Sequence, residues 1–264
     1  MTAAADGRVG RLVAVTVPVA ALDAATRGAM WRLYAEHYER VDERVFFRDL
    51  AAKDHAIVVR DAGDQSVQGF TTIAVRPHRA GARRFTIVFS GDTIIAPAYQ
   101  GQSALQRAFV RYVIATTLRA RGTEVYWFLI SKGWKTYLLL SRNFLEYWPR
   151  CDRPTPMAMR SLIAALARER FGDAFVDERA AATPDPGYGK IRWEPPGARL
   201  RPGVAPVSAE AFDAPDVRFF LAANPGHGEG DELCCVGRVD LAMGLNYARR
   251  LGLRTVRRAL GRGR

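Results

Sequence analysis

The sequence predicts an α+β protein with a mixed, mostly antiparallel central sheet flanked by helices. Three observations lead there. Strand-like and helix-like apolar periodicities alternate in a definite order before Pro149; a three-strand meander closed by turn residues lies within that order; and a glycine-containing loop turns a strand into a helix.

The run Leu12, Val13, Val15, Val17 and Val19 is dominated by β-branched residues and reads as a first strand. Arg8 and Arg11 ahead of it also imitate the charged start of a secretory signal, which is the competing reading of this stretch. Met30, Trp31, Tyr34, Ala35 and Tyr38 then recur at helical spacing, and Val45, Phe46 and Leu50 continue on a second, shorter helix. Strands are expected over residues 55–60 and 67–75, separated by turn chemistry at Gly63-Asp64, with another turn over residues 77–81. The next strand, residues 84–96, contains Ser90, Gly91 and Asp92, and a glycine inside a strand marks a bulge.

From Ser103 the period changes. Ala104, Leu105, Ala108, Phe109, Tyr112 and Val113 form one helical stripe, Arg107, Arg111 and Arg119 lie off it, and Gly122 stops the helix. A buried-looking strand over residues 124–130 leads through Ser131-Lys132-Gly133 into an apolar helix over residues 135–144, ended by Pro149. Prolines accumulate after Cys151. Residues 151–215 read as a Pro-rich insertion with one helix, capped by Thr155, with Pro156 at its first position and Gly172 after its end. Residues 217–221 and 233–239 read as two strands of a terminal hairpin. The expected organisation is a core over residues 10–150, the insertion, a hairpin over residues 216–241 completing the sheet, and a basic tail over residues 242–264.

Composition agrees with a globular chain: 264 residues, 48% apolar and 25% charged, suffice for one full core plus an extension. No apolar stretch approaches the roughly 20 residues of a membrane span. Three cysteines, two of them adjacent, cannot form a secreted disulfide framework, so a reducing cytoplasm is the expected location. The net charge of +12 is uneven, because seven arginines from Arg249 onward fall within sixteen residues that contain no acid. Such a tail suits nucleic acid, an anionic membrane or an acidic protein, or is simply solvated. It has no aromatic residue beyond Tyr247, so stacking on single strands is poorly served and nucleic acid is set aside as a partner. His37, His55, His78 and His227 stand singly. The ligand types between His227 and Cys235 are explained by a turn and a buried strand, so no metal site is expected. Fingerprints of Rossmann, phosphate-loop or serine-hydrolase sites are absent from the sequence.

The chemistry-bearing stretch is Ile95-Ala96-Pro97-Ala98-Tyr99-Gln100-Gly101-Gln102-Ser103. A helix starting near Ser103 leaves its first amide N–H groups unpaired at the positive end of its dipole, which suits a phosphate. Gly101 lets the backbone approach the anion, and Ser103 can cap the helix. Together with the element order, this stretch resembles the strand-to-helix signature of the GCN5-related N-acetyltransferase (GNAT) superfamily. Gln100 and Gly101 match; Ser103 and Leu105 occupy positions where the pattern has small residues.

The resemblance implies an acyltransferase of the acyl-CoA N-acyltransferase fold, with no permanently bound cofactor. Its donor would be acyl-CoA, or the phosphopantetheine of an acyl carrier protein steered by the basic tail, and its acceptor an amine. The backbones of Ile94 and Ile95 would pair with the pantetheine arm. Gln100, Gly101, Gln102, Ser103 and Ala104 would hold the phosphates, with Ser131 and Lys132 touching the donor from the next strand. Asp92 is the candidate base, because an acid inside an apolar strand is costly unless exposed or employed. The resemblance would place a tyrosine acid at Leu139. Tyr137 is the tyrosine on that helix but lies about 200° away around it, so it stands as an acid, a substrate contact or a core aromatic. Tyr34, Phe46, Phe47 and Trp134 are candidates for lining the substrate pocket, with core packing as the other reading. A non-catalytic acyl-CoA-binding or regulatory module is the alternative function, and self-association into a homodimer is left open.

Overall fold

The computed structural model describes residues 10–178 and 188–260. The elements are β1 (Leu12–Pro18), α1 (Ala24–His37), β2 (Tyr38–Glu39), α2 (Glu43–Ala51), β3 (His55–Asp61), β4 (Val67–Ala80), β5 (Arg83–Ile95), α3 (Ala104–Arg119), β6 (Glu124–Ser131) and α4 (Trp134–Asn143). After them come β7 (Tyr147–Trp148), α5 (Met157–Phe171), β8 (Phe175–Glu178), β9 (Tyr188–Ile191), β10 (Arg199–Leu200), α6 (Ala209–Phe212), α7 (Pro215–Ala223), β11 (Glu232–Val239) and α8 (Leu241–Leu260).

The main sheet has the order β1-β3-β4-β5-β6-β11-β9-β8, with β7 also on β11. Only the β5–β6 pair is parallel among the described strands; the α3 crossover links them, while tight turns link the meander β3-β4-β5. The fold is therefore the α+β one with a mixed, mostly antiparallel sheet that the element order implied.

Its two faces are covered by different helices. On one, Met30 and Leu33 of α1 and Phe46 and Leu50 of α2 pack on Val58, Phe70 and Ile94, while Leu162 and Leu166 of α5 pack on Phe89, Phe128 and Val236. On the other, Leu105 and Val113 of α3, Leu140 of α4, Phe220 of α7 and Met243 of α8 pack on Ile73, Val88, Trp127 and Leu129. Full burial of each such side chain contributes about 1.5–3 kcal/mol.

Several local expectations are corrected. Residues 217–221 form part of helix α7, not a strand, so there is no terminal hairpin: Pro215 at the first helical position and Asp216 in the first turn favour a helix, and Val217 and Phe220 face the core at three-residue spacing. β11 nevertheless completes the sheet, by pairing with β6, β7 and β9. The Pro-rich insertion also contributes β8 and β9 to that sheet. β4 runs through Pro77 to Ala80; β3 pairs with it only as far as Ile73, and an open strand edge tolerates the missing proline N–H. Thr155 does not cap α5, whose N-cap position falls on Pro156. The basic tail begins as helix α8, capped where the Met243 N–H donates to Asp240 Oδ1 at 2.7 Å. Arg262 and Arg264 lie outside the described residues. Among the described residues no helix is long and apolar enough to cross a membrane.

Candidate active site

The site is built by a defect in the sheet. Thr71 pairs with Thr93 and Ile73 with Ser90, so Thr72 opposes both Gly91 and Asp92, which is the bulge expected from the strand glycine. The parallel pairing of β5 with β6 ends at Ser90–Leu129, although β6 continues to Ser131 and β5 to Ile95. Just before the strands part, the Trp127 indole N–H donates to Ser90 Oγ at 2.8 Å. Beyond it a gap opens, bordered by the edge of β5 that carries Ile94 and Ile95. Their backbones pair on the other side with Phe70 and Gly69 of β4.

β5 leads into the loop and then α3. Gly101 takes φ +89°, a conformation that favours glycine, and the space where a Cβ would stand is empty. Alanine there is expected to cost about 1 kcal/mol through the backbone alone, read as a lowered midpoint in urea unfolding. Ser103 sits at the N-cap of α3 without capping it; its Oγ accepts from Arg107 Nη1 at 2.9 Å instead. The first turn of α3 thus has no side-chain cap and carries a cation where the helix dipole disfavours one, an arrangement that an anion would relieve. Gln100 is exposed, and its Oε1 accepts from Lys135 Nζ at 3.3 Å. Ala104 offers only its backbone, because its side chain is in the core. Gln102 does not belong to the cradle: its amide is spent on β1, accepting from the Leu12 N–H at 3.1 Å and donating to the Gly10 carbonyl at 2.9 Å.

On the α1–α2 face of the gap the structure gathers a charged cluster. Asp92 is partly buried, and burial, reinforced by the like charge of Asp49, pushes its carboxyl up to about 6 against the pull of Lys53 and Lys132. Lys53 has a fully buried side chain that pairs with Asp49, and burial holds its ammonium below the usual lysine range. Gly91 makes room for it, since a Cβ there would stand 3.1 Å from Lys53 Cε. Lys132 pairs with Glu232 at 2.9 Å and lies 5.6 Å from the centre of the Tyr38 ring. Burial and the charge of Asp92 raise the phenols of Tyr34 and Tyr38 far out of the physiological range, so both stay neutral donors. Asp92, Lys132 and Tyr34 therefore converge as candidates, whereas Asp49, Lys53 and Glu232 escaped sequence reasoning. A signal for Lys53 existed: the chain has four lysines among its 39 basic residues, and three of the four are at least partly buried.

Other candidates fall elsewhere. Tyr137 is fully buried; its hydroxyl donates to the Pro149 carbonyl at 3.0 Å and its ring packs on Phe219 and Phe220, so it is a core aromatic, not an acid at the cleft. Phe46 is likewise core, enclosed by Trp31, Tyr34, Phe47 and Phe70, while Phe47 is partly buried beside it. The Ser131 hydroxyl is buried and donates to the Gly133 carbonyl at 2.9 Å.

A strap from the insertion crosses the open end of the gap. β10 pairs with β2, matching Arg199 with Glu39 and Leu200 with Tyr38. The Arg201 N–H donates to the His37 carbonyl at 3.0 Å, and Arg199 bridges Glu39 and Glu229. At its far end the Trp134 indole donates to the Ala205 carbonyl at 3.1 Å and Lys135 Nζ to the Val204 carbonyl at 3.4 Å. The indole N–H of Trp134, a substrate-pocket candidate, is therefore engaged by the strap. Leu200 rests against Gly133, where a Cβ would approach its Cδ1 to 3.2 Å.

No protein-family model matches the chain, and no curated protein matches its sequence. Solved structures resemble it in fold. A GNAT-family N-acetyltransferase from Escherichia coli, solved with CoA, is 12% identical with a TM-score of 0.33, over 47% of this chain and 66% of that one. An acyl-CoA N-acyltransferase from Pseudomonas aeruginosa is 20% identical with a TM-score of 0.34, over 45% and 79%. A Trypanosoma brucei acetyltransferase is 17% identical with a TM-score of 0.36, over 54% and 100%.

Proposed function

We propose that the protein transfers an acyl group from an acyl thioester, acyl-CoA in the first instance, to an amine. The observation that carries this reading is the parting of β5 from β6 at Ser90–Leu129, directly ahead of an uncapped helix N-terminus, with the carboxyl of Asp92 set in the bulge beside it. An amide-bearing pantetheine arm fits the open edge at Ile94 and Ile95, and the diphosphate fits the amides of Gly101, Ser103 and Ala104 beside Arg107. The amine approaches from the side of Tyr34 and Tyr38. Asp92 takes one proton of the incoming ammonium, the nitrogen attacks the thioester carbonyl, the C–N bond forms, and the C–S bond breaks as a second nitrogen proton passes to the leaving sulfur, releasing the free thiol. A carboxyl raised to about 6 is ionised at neutral pH yet basic enough to accept that proton.

A second reading, binding without turnover, draws on the burial of Tyr137 and on the leucine at position 139, which leave the usual acid position of such enzymes without a hydroxyl at the cleft. Calorimetry with CoA and acetyl-CoA, followed by free-thiol release over a panel of small amines, separates the two. Binding with amine-dependent thiol release is the expected result. Binding without release would favour the second reading, and no binding of CoA, acyl-CoA or acyl carrier protein would end both.

A further inference from the structure

The end of the molecule opposite the gap carries exposed leucines in a basic surround. Leu241 and Leu245, one turn apart on α8, are 59% and 73% exposed; Leu118 in the last turn of α3 is 67% exposed and Leu145, just past α4, is 52% exposed. The packing of α8 gathers them at one end. A Cβ on Gly244 would stand 3.0 Å from Ile114, one turn before Leu118. Asn246 donates to the Asn143 carbonyl at 3.1 Å, two residues before Leu145.

The charge around this apolar patch has one sign. Arg119, Arg121, Arg142 and Arg249 are exposed and make no ion pair among the described residues. The nearby acids are already engaged: Glu124 and Glu146 by Arg238, and Asp240 as the cap of α8. No acid follows Asp240 in the sequence, whereas arginines recur to its end.

The geometry points to this end as a docking surface for an anionic lipid bilayer, on which α8 lies with Leu241 and Leu245 seated among the acyl chains and the arginines among the headgroup phosphates. Apolar side chains and unpaired cations on one surface match such an interface, which rewards both at once. An acyl carrier protein fits less well. α8 follows Val239, which pairs with Val125 at the start of β6, so the surface lies at the end of the strand away from the gap, four residues or roughly 13 Å before the gap begins at Leu129. Docked this way, the gap still faces water.

The test uses the full chain in flotation with vesicles of phosphatidylcholine alone and of phosphatidylcholine with one-third phosphatidylglycerol. Binding to the anionic vesicles, weaker in high salt and reduced roughly tenfold or more by Leu241→Asp with Leu245→Asp, is expected. Both leucines are exposed, so the double variant should keep its far-ultraviolet dichroism. Absence of flotation with anionic vesicles would overturn the inference. So would flotation that the double variant retains in full, since arginines alone would then account for it.

Discussion

Asn in place of Asp92 is expected to cut acyl transfer by orders of magnitude and, at neutral pH, to raise the stability of the fold. The carboxyl moves from 3.8 to about 6 on folding, first because of burial and then because of Asp49. Between those values the native state holds a proton that the unfolded chain has lost. Stability therefore falls as pH climbs from the lower value through the upper one and stays lowered above it. A shift of roughly two pKa units corresponds to at most about 3 kcal/mol, and about 2 kcal/mol is a fair figure for a partly exposed group. The amide removes that penalty, so Tm at pH 7 should rise by about 5 °C, with the gain fading toward pH 4. Turnover should drop by about 10²–10⁴, and the wild-type kcat/KM should show an acid limb near pH 6. Scanning calorimetry at the two pH values and a pH–rate profile check both halves. Wild-type turnover in the variant would remove Asp92 from the chemistry, and a lowered Tm at pH 7 would remove the burial penalty.

Freeing the strap should change how quickly a donor enters. The segment around Leu200 to Ala205 is bonded to the end of α1 and to the start of α4, so on the proposed reading a donor would wait for it to leave, and its apparent affinity would be reduced by the fraction of time the mouth is open. Replacing Arg199 and Arg201 with alanine cuts the bridge to Glu39 and Glu229 and the side-chain bond to Ala35 without touching the cradle. Stopped-flow binding of CoA should then be about tenfold faster, with a smaller change in dissociation, which corresponds to about 1.4 kcal/mol in the open–closed balance. Slower or unchanged association would show that the strap helps to form the site instead of gating it.

The core was readable because its signals are local. The β-branched run of β1, the bulge glycine at position 91 and the period change at Ser103 each report on one element. What stayed hidden depends on distant partners. Whether Ser103 caps its helix is decided by Arg107, and whether Gln102 faces a phosphate is decided by the edge of β1. Tyr137 has the chemistry of an acid, yet the packing of α7 on α4 puts its hydroxyl on Pro149. The short apolar run in α7 suits either period, and β8 and β9 are too short to signal themselves among prolines. The Asp92 cluster draws on β5, β6, β11, α1 and α2 at once, and in the linear sequence only the scarcity of lysine hinted at Lys53.

The position of β11 has a consequence for biosynthesis. It lies between β6 on one edge and β7 and β9 on the other, and its stretch from Leu233 to Val236 is buried throughout. On the ribosome β6 emerges roughly 100 residues before β11, an interval on the order of ten seconds at ordinary elongation rates. During it the nascent sheet ends in a strongly apolar β6 paired on one edge only, the kind of edge on which chains adhere to one another. Completion of this sheet therefore waits on β11, the last of the described strands, and the interval before it is when the sheet most needs a chaperone's cover.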